Sequence, residues 1–302
     1  MKDDAVSPVI AAMLVLAVIV TLFAAWNAIL VPSLKQESEI VHIREVESGI
    51  LRFASDIDTA ASLKTNLHLT ERIPLGGGDI PFNSLRSGGM IRIQRSISPY
   101  MSMNLTNNTL GTSEEEPVSN HSVYMSRILY HPAGNFWQDQ GYSWQYGYTN
   151  VTKGEIQTPL EYSAMENVSY PLTESILSVE TLPSYEDNTK CSLITIKSVN
   201  ITPSGGQNKV SGNGIGTLIL TSSVSPMMTF TKITGFNITL SGDSGFRNAT
   251  NSSVSRMLAN NIAACSNIRL QYPGQYRIGL VFDAIPNMTV RREITEIILA
   301  AT

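Results

Sequence analysis

The chain opens on an unbroken apolar run. No charged residue occurs from Ala5 to Leu34, and Val9–Val31 reads VIAAMLVLAVIVTLFAAWNAILV, with Thr21 and Asn27 as its clearly polar members. A helix needs about 20 apolar residues to cross a bilayer. At roughly 1.5 Å per residue, Pro8 to Val31 covers about 36 Å, enough to span with some tilt. Ser7 followed by Pro8 is a helix opening, because serine caps free N–H groups and proline suits the first helical position. Pro32 lacks the N–H that a continuing helix needs, so the pattern predicts a kink there.

After Pro32 the pattern becomes amphipathic. Ile43, Val46, Ile50, Phe53, Ile57 and Ala60 follow at spacings of three and four, a heptad-like seam whose other positions carry Glu37, Glu39, Arg44, Glu45, Glu47, Arg52, Asp56 and Asp58. Such a stripe packs either on the chain's own domain or against neighbouring chains. Gly49 within it predicts a flexible point. From about Lys64 the period falls to two. Strands are expected at Met90–Gln94, Ser122–Tyr130, Ser192–Val199, Thr217–Ser222, Met227–Ile233, Asn237–Ser241, Arg277–Phe282 and Met288–Leu299. One short helix is expected near Ser253–Ala264, and Asn104–Asn120 reads as an exposed polar loop. The fold class is therefore α+β: a long N-terminal hydrophobic helix over 6–63, then a β-rich, sandwich-like domain over 64–302.

Composition narrows the function classes. With 42% hydrophobic and 15% charged residues and a net charge of −4, the chain is too apolar for a disordered protein and too weakly charged for a nucleic-acid binder. Its apolar run exceeds the 7–15 residues of a secretory signal core, and the flank at Trp26–Pro32 offers no good cleavage site, so the segment is expected to stay. Ten Asn-x-Ser/Thr acceptors, at Asn104, Asn107, Asn120, Asn150, Asn167, Asn200, Asn237, Asn248, Asn251 and Asn287, all come after the apolar run. Chance predicts roughly four such acceptors, so the surplus favours an extracellular, glycosylated domain. In that compartment Cys191 and Cys265, the two cysteines of the chain, either form a disulfide or stay as two buried thiols.

Chemistry-bearing motifs are few. His42, His68, His121 and His131 lack any ligand-like spacing, and neither a nucleophile elbow nor a phosphate-binding loop occurs. No catalytic residue, metal ligand or cofactor is expected. Gly212-Asn213-Gly214-Ile215-Gly216 precedes a strand, so it reads as a hairpin turn; Gly76-Gly77-Gly78-Asp79 reads as a loop from helix to sheet. Trp137, Tyr142, Trp144, Tyr146 and Tyr148 make an aromatic patch, the last four alternating as on one strand face. That face serves either as core or as a platform for sugar rings.

The start of the chain, Met-Lys-Asp-Asp-Ala-Val-Ser-Pro-Val-Ile, resembles the class III signal peptide of archaeal type IV pilins and pilin-like surface proteins. The resemblance lies in a short charged leader, a small residue, and Val6-Ser7-Pro8-Val9-Ile10 opening the apolar helix. It covers roughly residues 3–31. Asp4 stands where such leaders commonly carry a basic residue, and Ile10 stands where bacterial type IV pilins carry a glutamate. The resemblance implies a leader over residues 1–5 and a prepilin peptidase cutting between Ala5 and Val6. It further implies a cytoplasmic N-terminus, an extracellular domain, and assembly with other pilin subunits through the N-terminal helix into a surface filament or pseudopilus. The partners are then membrane lipid, the peptidase and sister subunits, with no nucleic acid and no enzymatic role. The alternative is a single-pass, membrane-anchored surface glycoprotein whose β domain binds carbohydrate or another ligand.

Overall fold

One helix runs out of the strand-rich body of the protein. The computed structural model describes residues 6–77, 87–107, 116–135, 139–160, 165–241, 244–283 and 288–302. Helix α1 (Val6–Ala25) passes through a five-residue π-helical turn (Trp26–Leu30) into α2 (Val31–Leu63). The predicted break at Pro32 is therefore a π turn instead. Proline at position 32 cannot bond back to the carbonyl four residues earlier, and its ring would strike that carbonyl. The wider turn, closed by Val31 N–H to the Trp26 carbonyl, relieves the conflict, and Pro32 falls at the start of α2 where no N–H is needed. At the far end Lys64 takes the left-handed conformation, φ 49°, and its N–H caps the Ala60 carbonyl at 3.1 Å.

The strands are numbered in chain order. They are β1 (Leu67–Pro74), β2 (Gly88–Arg95), β3 (Met101–Asn107), β4 (Glu116–Val123), β5 (Ser126–Ala133), β6 (Gly141–Gln145), β7 (Tyr148–Lys153) and β8 (Ile156–Pro159). After α3 (Met165–Ile176) come β9 (Leu177–Pro183), β10 (Cys191–Gly212), β11 (Ile215–Val224), β12 (Met228–Thr231) and β13 (Gly235–Leu240). Helix α4 (Ser244–Ile262) precedes β14 (Ile268–Gly274), β15 (Arg277–Phe282) and β16 (Thr289–Ala301). The larger sheet runs β1-β11-β16-β10-β2-β5-β6-β7-β8, with β12 on β16 and β9 on β10. The smaller, five-stranded sheet runs β14-β15-β13-β3-β4. Strands β10 and β16 are parallel; the other pairings among the described residues are antiparallel.

Several expected elements change. Ser122–Tyr130 is not one strand. It ends at Val123 in the smaller sheet and resumes at Ser126 in the larger, with the Tyr124 N–H held by Asn200 Oδ1 at 2.7 Å in between. The Asn104–Asn120 loop has strands at both ends, β3 through Asn107 and β4 from Glu116, and residues 108–115 lie outside the described residues. Gly212–Gly214 is a turn but not a hairpin. Strand β10 ends there on β2, while β11 leaves to pair with β1 and β16. Two helices, α3 and α4, replace the single one expected, and α4 begins at Ser244 rather than near Ser253. Their asparagine, serine and proline content argues against helix, but Val254, Met257, Leu258 and Ile262 fall on one face and are buried. Tertiary burial overrides weak propensity here.

The heptad-like seam turns inward on the chain's own domain. Ile43, Val46, Ile50, Phe53, Ile57 and Ala60 are all buried and join one core cluster with Ile73, Ile91, Tyr130, Leu220 and Ile297. Gly49 is not a flexible point but a close approach: a Cβ there would come 3.0 Å from Ile73 Cγ1, so α2 and β1 meet across it.

A partly buried histidine is expected to make the fold acid-sensitive. His121 on β4 has its Nε2 buried without a partner. Burial first, and the Arg292 guanidinium second, push its pKa down from 6.5 to about 4. Below about pH 6.5 the unfolded chain takes up a proton that the folded chain refuses until about pH 4, so stability falls across that window. We predict that the thermal midpoint drops from pH 7 to pH 4.5, and that His121→Gln flattens the drop. Equal slopes in both proteins would remove His121 as the cause.

Candidate functional site

The exposed half of the long helix is the feature that demands a partner. Every large apolar side chain from Val9 to Leu30 is between 45% and 69% exposed. Fully burying one such side chain contributes about 1.5–3 kcal/mol, so leaving this set in water forgoes on the order of 30 kcal/mol. That exceeds the roughly 5–15 kcal/mol by which whole domains are stable. The helix from Pro8 is 56 residues long, about 84 Å, and its N-terminal part is long and apolar enough to cross a membrane.

The polar side chains along this stretch are turned back onto the helix. Thr21 Oγ1 donates to the Val18 carbonyl at 2.9 Å, Asn27 Nδ2 to the Phe23 carbonyl at 2.9 Å, and Ser33 Oγ to the Leu30 carbonyl at 2.9 Å. In hydrocarbon an unpaired polar group costs several kcal/mol, so back-bonding of this kind suits a lipid surround. The sequence shows these three residues; it does not show where their hydrogen bonds go.

Immediately after the exposed stretch, α2 is gripped by the domain. Lys35, Glu39 and His42 are buried on one side of the helix. His42 Nε2 lies 3.1 Å from Tyr130 Oη, and a side chain on Gly77 would collide with the His42 ring at 2.5 Å. One turn further, Tyr142 Oη donates to Glu47 Oε2 at 2.7 Å and accepts from Gln140 Nε2 at 2.9 Å. Burial lowers the His42 pKa and raises that of Tyr142, whose partner Glu47 adds to the rise. Both side chains therefore stay neutral at ordinary pH. This collar ties the start of the buried part of α2 to the domain through β5, β6 and the Gly77 backbone.

The other singled-out residues separate by environment. Ala5 lies outside the described residues, and Val6 is the first residue of α1. Cys191 and Cys265 form a disulfide with Cα atoms 5.3 Å apart. Asn267 clamps the same point, accepting the Cys191 N–H at 2.8 Å and donating to the Cys191 carbonyl at 2.9 Å. The aromatic alternation does not persist as one strand. Tyr146 and Gly147, at φ 56° and 77°, form the tight turn between β6 and β7, a conformation that matches the twist of a hairpin. Tyr142, Trp144 and Tyr148 are buried, so they are core rather than a ligand platform; Trp137 lies outside the described residues.

The acceptor asparagines differ just as clearly. Asn120 and Asn248 are exposed, with Asn248 Oδ1 accepting from Tyr276 Oη at 2.7 Å. Asn104, Asn107, Asn150, Asn237 and Asn251 are half-buried. Asn200 is engaged at both ends, its Oδ1 by the Tyr124 N–H and its Nδ2 by Glu296 Oε2 at 2.8 Å. Asn287 and the side chain of Asn167 lie outside the described residues. Among the described residues no group of three or more His, Cys, Asp or Glu side chains is placed to hold a metal ion. No protein family, curated protein or solved structure matches this chain.

Proposed function

We propose that the chain is a type IV pilin-like subunit. It is inserted in the membrane by its N-terminal helix, cut between Ala5 and Val6 by a prepilin peptidase, and assembled into a surface filament or pseudopilus. The observation that carries this reading is the division of one continuous helix: its first half is apolar and uncovered, its second half is rooted in the domain. Assembly on this reading requires no catalysis by the chain. The apolar halves exchange lipid for each other in the filament core, and the strand-rich, sandwich-like domains face solvent. Ala17, Thr21, Ala24 and Ala28, spaced four, three and four, give the helix a narrow strip of small side chains that lets another helix approach closely. The disulfide supports an oxidising compartment for the domain, hence a cytoplasmic N-terminus.

The test is the N-terminal residue of protein taken from the native membrane. Mass spectrometry is expected to find Val6 there, and Ala5→Trp to leave the longer precursor. Finding Met1 or Lys2 on surface-exposed protein, or an unchanged N-terminus in Ala5→Trp, would favour a permanently anchored surface glycoprotein instead.

A further inference from the structure

The five-stranded sheet has one apolar face and one polar face. Met103, Leu105, Ile238, Ile278 and Leu280 point into the core. On the opposite face the strand register sets Asn120, Asn104, Asn237 and Gly279 side by side across β4, β3, β13 and β15. Three of the acceptor asparagines thus form one cross-strand row. Their hydroxyl partners Ser122, Thr106 and Thr239 share the face, because residues two apart in a strand point the same way. Part of the acceptor surplus is therefore the signature of a polar sheet face.

The row is graded. Asn120, on the edge strand, is exposed, whereas Asn104 and Asn237 are half-buried. The Asn104 Oδ1 is buried without a hydrogen-bond partner. Beyond Asn237 the row dips, since Gly279 has no side chain and a Cβ there would sit 2.6 Å from Asn237 Oδ1. Neighbouring strands are about 4.8 Å apart, too close for bulky sugars on adjacent asparagines.

We propose that Asn120 is the N-glycan acceptor of this row, and that Asn104 and Asn237 remain unmodified and pack beneath its first sugar. The inference rests on the outward placement of the domain. In the reaction, Asn120 Nδ2 attacks C1 of the reducing-end sugar of a lipid-linked oligosaccharide phosphate. The C1–O bond to phosphate breaks, the Nδ2–C1 bond forms, the amide proton passes to a base of the transferase, and the lipid phosphate leaves.

Peptide mass spectrometry of the full chain from its natural host tests the assignment. An oligosaccharide mass is expected on the Asn120 peptide and none on the Asn104 or Asn237 peptides; Ser122→Ala and Asn120→Gln should each abolish it. The packing is read by a double-mutant cycle. Losing the glycan through Asn120→Gln should lower the thermal midpoint of the otherwise native chain, and that shift should vanish with Asn104→Ala and Asn237→Ala in place. Glycan on Asn104 or Asn237, or a bare Asn120 beside other occupied acceptors, overturns the assignment and leaves the outward placement standing. An additive cycle overturns the packing. No glycan anywhere together with an uncut N-terminus overturns both readings.

Discussion

Phe53→Ala is expected to destabilise the protein by about 4 kcal/mol. Phe53 is fully buried where α2 crosses the larger sheet, between Ile50 and Ile57 on the same stripe. Removing its ring both loses transfer free energy and leaves a cavity that the surrounding strands cannot collapse into. For a domain of this size the thermal midpoint should fall by roughly 12 °C, measured on the full chain in detergent micelles. Val41→Ala on the exposed side of the same helix should stay within about 0.5 kcal/mol. The pair of variants distinguishes the two roles open to the heptad-like stripe. If Phe53 served neighbouring chains instead, its loss would leave the isolated protein's midpoint unchanged and weaken only assembly.

Breaking the disulfide should have an effect of similar size. Cys191 and Cys265 are 74 residues apart and tie the start of β10 to the connection between α4 and β14. Closing a loop of that length in the unfolded chain is worth about 4 kcal/mol on the chain-entropy account. Cys191→Ser with Cys265→Ser is expected to lower the midpoint by the same amount as adding reductant to the native protein, and reductant should do nothing further to the double variant. The Asn267 clamp on the Cys191 backbone remains in both cases, so the knot should loosen without changing the fold. A midpoint indifferent to reductant would mean that the bridge does not constrain the unfolded chain.

Both effects concern contacts between segments far apart in sequence, and they mark where sequence reasoning reaches its limit. The stripe at Ile43–Ala60 is visible as a spacing, but a spacing names no partner. Only the position of β1, across Gly49, shows that the domain covers it. The aromatic alternation from Tyr142 to Tyr148 fits one strand as well as a hairpin, because a two-residue turn leaves the count intact. The positive φ of Tyr146 and Gly147 decides the matter. Strand β10 is the extreme case: Gly205 and Gly206 fall where its register with β16 shifts between Pro203 and Asn208, and β2 takes over at Lys209–Gly212, so one turn-like stretch joins two sets of partners.

Local pattern was enough to establish the long apolar helix, its change to an amphipathic stripe after Pro32, and the strand-rich character of the chain from about Lys64 onward. Each is a short-range periodicity or an uninterrupted run of one polarity, and such patterns need no knowledge of neighbours. Everything else waited on the packing of the whole chain. Packing absorbed Pro32 in a π turn, raised α3 and α4 from segments of poor propensity, paired Cys191 with Cys265, and set Asn120, Asn104 and Asn237 in one row. Those outcomes depend on which segments meet. Burial and hydrogen bonding across long sequence separations there outweigh the few tenths of a kcal/mol per residue that local preference supplies.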